Sequence, residues 1–323
     1  MMRRQFNLGL GSLALLSLGP WPRAWPDEPD EPDERSARGP LWWLIRRGTG
    51  RVFLLGFGEG RADDDSWFRP AIRKAFNDSS ELWLEVAPAP PPGSQSAAEK
   101  AAADAAYEKL AHESNRSFFD ELTPSVRKRT LAYMSELGIQ RESVESLRPW
   151  WAYYKINAAF WSRMKLPYEP VNEDEVLRKL ALSQGKKVLY EMPSGLAFAQ
   201  FMASMPEAAQ SQYIEFLLDF LDDARKGLDS ASSDWMTGNP VTSRRAVQRM
   251  RTRTPDLYRA MQIQRNGWWA RKIGELLEQG GTHFVAVGEM HVLGPDGIPA
   301  QLTRLNVVTA SELHENPVME AVG

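Results

Sequence analysis

The chain has 323 residues, a formal net charge of −3, 43% hydrophobic residues and 25% charged residues, the balance of an ordinary globular protein. Without a basic stripe, this charge gives no reason to expect a nucleic acid as partner. The absence of Cys excludes disulfides, metal–thiolate sites and thiol nucleophiles. Three further chemistries lack their motifs: the Gly-x-Ser-x-Gly elbow, the phosphate-binding Gly-x-x-x-x-Gly-Lys loop and the His-Glu-x-x-His zinc helix.

From the N-terminus, Arg3-Arg4-Gln5-Phe6 precede an apolar stretch over residues 8–18 that contains Gly9 and Gly11. It is shorter than the ~20 residues a membrane-spanning helix needs. A twin arginine before a short, weakly hydrophobic segment reads as a twin-arginine-like export signal over residues 1–24, so the mature chain is expected to be periplasmic or extracellular, with no stable membrane anchor after processing. Residues 25–40 carry the repeat Pro26-Asp27-Glu28-Pro29-Asp30-Glu31-Pro32-Asp33-Glu34, whose prolines and repelling charges suit an extended linker. One folded domain is expected over 41–315, with a tail at 316–323.

Within that domain, the apolar runs 41–45 and 51–57 flank Gly48-Thr49-Gly50 and read as a β-hairpin. Ser66 is a candidate cap for a helix to Asn77, with Phe68, Ile72, Ala75 and Phe76 on one face. Residues 82–86 read as a third strand, and the proline-rich 87–93 as a loop. Helices follow over 97–182, with Thr123, Ser143 and Asn172 as candidate starts. Residues 186–191 are a short strand, and 207–226 and 255–279 are helices. Strand 283–287, helix 295–305 and a last strand at 307–309 complete the pattern. The reading is an α/β fold: a mixed sheet formed by the N- and C-terminal segments, with a helical block inserted between them. The twelve Trp are read mainly as packing residues.

Two segments carry the candidate chemistry. Gly56-Phe57-Gly58-Glu59 and Gly288-Glu289-Met290-His291 each end an apolar strand, and Glu85 ends a third. Side chains at the carboxyl edge of a sheet stand where open α/β sheets take their ligands, so the two ends of the chain are expected to build one composite site. A carboxylate at a strand end is more often a surface ion pair, and a lone His more often a hydrogen-bonded structural residue. Glu191, at the end of the middle strand, is either a supporting partner or exposed. Glu289 reads as a solvent-facing carboxylate at a helix start. Arg265 reads as a partner for a site carboxylate, as an anchor for a substrate carboxylate, or as a solvent-facing helix residue.

Taken in order, these segments resemble the TraB/PrgY/GumN family, which includes the Tiki proteins. The likeness rests on the hairpin and turn of 41–59, the strand ending Glu85-Val86, the Gly-Lys-x-Val strand with Glu191, Trp235 to Asn239, Arg265-Asn266, and Phe284-Val-Ala-Val-Gly-x-x-His291-x-x-Gly-Pro-Asp-Gly297. The resemblance implies a core like that of erythromycin-esterase-like and ChaN-like proteins. For the Tiki branch it implies a metal-dependent peptidase built on two Gly-x-x-His turns and a Glu, and for the PrgY and TraB branch shutdown of a pheromone peptide. The catalytic set carried over is Glu59, Glu85, His291 and Arg265. Glu59, Glu85 and His291 are the expected ligands of a divalent ion such as Mn²⁺, Co²⁺ or Zn²⁺, and the substrate is a peptide or small molecule. Glu59 replaces the family's first His. A carboxylate there is still a metal ligand, and a harder one that favours Mn²⁺ or Mg²⁺ over Zn²⁺. The other reading is a degenerate site in a periplasmic protein that binds a peptide or small ligand without cleaving it.

The export reading is tested by replacing Arg3 and Arg4 with Lys. The precursor is expected to stay in the cytoplasm in a fractionation assay, and unchanged export would rule out the twin-arginine route.

Overall fold

A computed structural model describes residues 39–58, 66–91, 93–112, 116–164, 172–225 and 229–317. The export signal, nearly all of the linker, most of the C-terminal tail and Glu59 lie outside the described residues.

Strands β1 (Trp42–Arg47) and β2 (Gly50–Phe57) form the expected hairpin, with Arg47 opposite Gly50. Helix α1 (Pro70–Asp78) leads to β3 (Glu81–Val86). This helix starts behind Arg69 at Pro70 rather than at Ser66, because proline's fixed φ suits a first helical turn. The helical block runs through α2 (Ala97–Ala111), α3 (Pro124–Leu137), α4 (Pro149–Arg163) and α5 (Glu173–Ser183). Thr123 caps α3, as its position suggests, by accepting from the Val126 N–H. Ser143 starts no α-helix: it ends a short 3₁₀ turn, and α4 begins only at Pro149.

Strand β4 (Lys187–Met192) precedes α6 (Gly195–Ser204) and α7 (Glu207–Ala224). Helices α8 (Asp229–Thr237) and α9 (Val241–Arg253) fill a stretch that lacks a clear periodic signal in the sequence. The long helix expected over 255–279 is continuous but changes pitch. A turn of α10 (Pro255–Tyr258) passes into a π-helical segment, Arg259–Gln264, and then into α11 (Arg265–Gln279). Strand β5 (Gly281–Gly288), α12 (Ile298–Arg304) and β6 (Leu313–Glu315) finish the fold.

The last strand differs from expectation. Residues 307–309 do not join the sheet; the Val307 carbonyl accepts from Arg47 Nη1 at 2.7 Å, and Val308 is buried. Instead β6 pairs antiparallel with β1, Trp43 opposite Glu315.

The sheet order is β4-β3-β5-β2-β1-β6. Strands β4, β3, β5 and β2 run parallel, β1 runs against them, and β6, antiparallel to β1, runs in their direction again. The carboxyl ends of four strands from distant parts of the chain therefore share one edge.

Both faces of the sheet are covered. Trp43, Ile45, Val52, Leu54, Val285 and Val287 pack with α11 and the helical block. Trp42, Leu44, Phe53, Leu55, Leu82, Leu84, Phe284 and Ala286 form the second core with α1, α5 and Trp235. Burial on both faces explains why the strands read as continuous apolar runs rather than alternating ones.

Close packing of α11 on the sheet sets a local test. A Cβ at Gly50 would lie 2.2 Å from the Leu277 carbonyl oxygen, which is backbone and cannot rotate away. Gly50→Ala should lower stability by about 3 kcal/mol, the upper end for overpacking, read from the urea midpoint at constant slope. An unchanged midpoint would mean that α11 slides freely on the sheet.

Candidate functional site

Strands β3 and β5 are paired only at Leu82–Phe284 and Trp83–Val285. Beyond those residues the Glu85 side chain takes the place of a neighbouring strand: its Oε1 accepts from the Gly288 N–H at 2.6 Å. On the other side of β3, Leu84 faces Tyr190 and Val86 faces Met192. This register sets Glu85 and Glu191 side by side on adjacent strands. Two neighbouring buried carboxylates repel, and Arg265, at the first turn of α11, resolves the repulsion. Its Nη2 donates to Glu85 Oε2 at 2.6 Å and to Glu191 Oε2 at 2.5 Å, and its Nε donates to Glu191 Oε1 at 3.0 Å. Trp269, one turn further along α11, donates its Nε1–H to Glu191 Oε2 at 3.1 Å.

His291 completes the cluster from the 3₁₀ turn Glu289–Val292 that follows β5. Its tautomer follows from a chain of hydrogen bonds that begins at a backbone carbonyl. Asn266 Nδ2 donates to the Asp296 carbonyl at 2.8 Å and to Gln262 Oε1 at 3.2 Å. Asn266 Oδ1 is thereby turned to His291 Nδ1, 2.6 Å away, so Nδ1 carries the proton. The Nε2 lone pair then accepts from Arg265 Nη1 at 3.2 Å, and Nε2 lies 3.6 Å from Glu85 Oε2. An arginine only donates, which agrees with this assignment.

The cluster is nearly closed to solvent. The side chains of Arg265 and His291 are 3% exposed, and those of Glu85 and Glu191 are 6% exposed. Burial works to raise the Glu85 carboxyl, but the charge that the His291 ring carries when protonated, the Arg265 guanidinium and the Gly288 N–H outweigh it and hold the group well below the usual carboxylate range. Burial likewise opposes the charge on Arg265, yet its two carboxylates raise it above the ordinary arginine value.

The sheet edge thus gathers Glu85, Arg265 and His291, as the sequence suggests, and adds Glu191 and Asn266. Glu191 is a direct partner of Arg265, and its side chain is only 6% exposed. Asn266 carries no assigned role in the sequence, although the adjacent Arg-Asn pair marks it. Glu59 lies outside the described residues, so the expected convergence of the two Gly-x-x-(Glu/His) turns is not described beyond Gly58. A Cβ at Gly58 would lie 2.7 Å from the Trp235 ring, whose Nε1–H donates to the Gly56 carbonyl at 2.9 Å. Glycine is required there by this close approach of the indole.

Among the described residues no group of three His, Asp or Glu is arranged to hold a metal ion. Both described members of the expected ligand set, Glu85 and His291, contact Arg265, at 2.6 and 3.2 Å; the third, Glu59, lies outside the described residues.

Glu289 departs from the expectation of a solvent-facing carboxylate. It is buried, and it accepts from the Ser243 hydroxyl of α9 through Oε2, while its Oε1 has no partner. The turn after β5 therefore sends His291 to the β3 side and Glu289 to the β2 side, where its backbone borders Gly56. His283 is also buried, held between Glu81 and the Gly280 carbonyl.

Burial pushes the Glu289 carboxyl up from 4.5 to about 7, against the pull of the Ser243 hydroxyl. A carboxyl raised in the folded state stabilises the fold fully below its unfolded value near 4.5 and loses that contribution as pH rises through about 7. The difference in unfolding free energy between the parent and Glu289→Gln should therefore change by on the order of 3 kcal/mol between pH 4 and pH 8. The parent should be the one that loses stability at high pH. A pH-independent difference in denaturant midpoints would show that Glu289 ionises normally.

The TraB/PrgY/gumN family model matches residues 41–309, most of the folded region, and the chain belongs to that family. No curated protein and no solved structure matches.

Proposed function

We propose that this TraB/PrgY/gumN-family chain is an exported hydrolase of peptide or amide bonds, with His291 as the proton acceptor and Arg265 as the charge that stabilises the reacting carbonyl oxygen. The observation that carries this reading is the fixed tautomer of His291: a backbone carbonyl orients Asn266, Asn266 holds Nδ1–H, and the Nε2 lone pair is left facing the reaction edge of the sheet. An imidazole so oriented is a competent general base, a role worth about 10²–10⁴-fold in rate.

A substrate carbonyl that takes the Arg265 Nη1 donor from His291 frees Nε2 to accept a proton from the attacking water. The guanidinium then faces the oxygen on which negative charge develops, and a donor in that role contributes about 10²–10³-fold. The imidazolium is held by Asn266 at Nδ1 and by the nearby Glu85 carboxylate, and it returns its proton to the leaving amine. Glu191 and Trp269 keep Arg265 in register. Metal dependence is the other form of this proposal. Glu59, Glu85 and His291 would be the ligands of such an ion, whose chemistry is to lower the pKa of a bound water.

A second reading is a protein that sequesters a peptide or small ligand without cleaving it. The contact of Arg265 with the His291 lone pair favours it, because the base is covered while the site is at rest.

Release of new amino groups from a mixed peptide digest tests these readings. Cleavage is expected with the parent, with a loss of at least about 100-fold in His291→Ala and little change on adding EDTA. Activity lost with EDTA and restored by Mn²⁺, Co²⁺ or Zn²⁺ would replace the base mechanism with the metal one. Peptide binding without cleavage under either condition would leave the sequestering reading.

A further inference from the structure

The hydrogen bonds that orient His291 end at a backbone carbonyl, and what holds that carbonyl lies away from the cluster. Asp296 is the third residue of the turn Gly294-Pro295-Asp296-Gly297, closed by the Gly297 N–H on the Gly294 carbonyl at 3.2 Å. The peptide between Asp296 and Gly297 is therefore used on both sides. Its N–H closes the turn, and its carbonyl accepts from Asn266 Nδ2 at 2.8 Å.

With glycine at both ends and Pro295 exposed, the turn takes its side-chain anchorage from Asp296. Its Oδ2 accepts at 2.9 Å from the hydroxyl of Tyr258, the last residue of α10. Its Oδ1 accepts at 2.8 Å from Nη1 of Arg304, the last residue of α12. Arg304 Nη2 also donates to the Pro295 carbonyl. Burial works to raise the Asp296 carboxyl, but the Arg304 guanidinium and the Tyr258 hydroxyl outweigh it and hold it below the usual range. Two helices thus grip one carboxylate at the solvent margin: the Asp296 side chain is 13% exposed and that of Arg304 49%.

The other acceptor of Asn266 cannot take over this task. Gln262 Oε1 accepts from Asn266 Nδ2 at 3.2 Å, but a Gln amide can present either its oxygen or its nitrogen. Gln262 Nε2 has no partner to hold that amide in one sense. The Asp296 carbonyl offers only an acceptor. If it moves away, Asn266 can turn its Nδ2 to His291 Nδ1, and the ring proton then sits on Nε2. Arg265 Nη1 opposes that state while it donates to Nε2, but a substrate carbonyl that takes this donor removes the opposition.

We propose that Asp296, gripped by Tyr258 and Arg304, is a positioning residue for His291: its side chain is a latch that holds the carbonyl orienting Asn266, and so decides which imidazole nitrogen carries the proton. The consequence for catalysis rests on the hydrolase reading above; the tautomer does not.

The test reads the tautomer without substrate, from nitrogen-15 spectra at pH 8 of the full chain labelled in its histidine rings, with His291→Gln to assign the signals. In the parent, His291 should be protonated at Nδ1 alone. Asp296→Ala and Arg304→Ala should each move the two His291 nitrogen signals toward one another as the second tautomer becomes populated. Asp296→Asn, which keeps one acceptor oxygen, should move them less. Arg304→Ala removes an exposed side chain and keeps the test available if Asp296→Ala does not fold. Where a peptide is cleaved, Asp296→Ala should lower kcat about 10-fold with little change in KM, the effect of one lost charge-assisted hydrogen bond. A parent ring protonated at Nε2, alone or together with Nδ1, would overturn the latch. So would His291 signals that stay in place in Asp296→Ala and Arg304→Ala, even with a lower urea midpoint, because Asp296 would then be structural and Arg265 alone would set the tautomer. Shifted signals in a protein whose parent cleaves no peptide would support the latch and overturn hydrolysis alone.

Discussion

Glu85 and Glu191 stand side by side on adjacent parallel strands, away from water, and the guanidinium of Arg265 lies between them. An isolated buried carboxylate is expensive, and a pair of them more so. The arrangement holds because Arg265 donates to both, because the Gly288 N–H satisfies the remaining Glu85 oxygen, and because Trp269 Nε1–H adds a second donor to Glu191 Oε2. Other features at this edge follow from that requirement. Helix α11 must begin where its first residue reaches the two strands, and the spreading of β3 from β5 leaves room for the Glu85 carboxylate. Asn266, next along the helix, is then carried to the imidazole of His291.

The sheet supplies the frame for this contact. Its four parallel strands come from residues as far apart as Gly50 and Gly288, and their carboxyl ends share one edge. Apolar cores on both faces hold the strands in register. Rigid packing matters because the hydrogen-bond chain from Asp296 through Asn266 to His291 has little tolerance: a turned Asn266 amide would reverse which imidazole nitrogen carries the proton. The π-helical segment before Arg265 belongs to the same geometry, since it sets the phase with which Gln262, Arg265 and Asn266 approach the strand ends.

The turn after β5 divides two kinds of polar environment. His291 enters a cluster rich in charge and fully connected by hydrogen bonds. Glu289, two residues earlier, enters a pocket with Ser243 where no cation touches its oxygens, and its carboxyl holds its proton more strongly. Neighbours in sequence thus acquire opposite electrostatics from the strands they face: burial beside Arg265 favours the charged form of Glu85, and burial beside Ser243 favours the neutral form of Glu289.

Much of this is written locally in the chain. The hairpin around Gly48-Thr49, the cap at Thr123, the strand ends at Glu85 and Gly288 and the Arg265-Asn266 pair all depend on near neighbours, and so does the family pattern that marks them. Those local signals place Glu85, Arg265 and His291 at ends of elements, and parallel pairing of buried strands makes a shared edge their natural meeting point. The start of α1, the helices after Asp229 and the strand at Leu313–Glu315 were not legible in the same way. The strand and the segment before it are decided by what they pack against: Val307 lies against Gly274 of α11, and β6 takes the open side of β1. The same holds for the chemistry. No local pattern tells that Glu191 faces inward, that Glu289 is buried against Ser243, or that Arg265 bridges Glu85, Glu191 and His291. Those facts depend on contacts between residues 26 to 180 positions apart, and only the folded sheet, by fixing its register and the angle of α11, brings them within hydrogen-bonding distance.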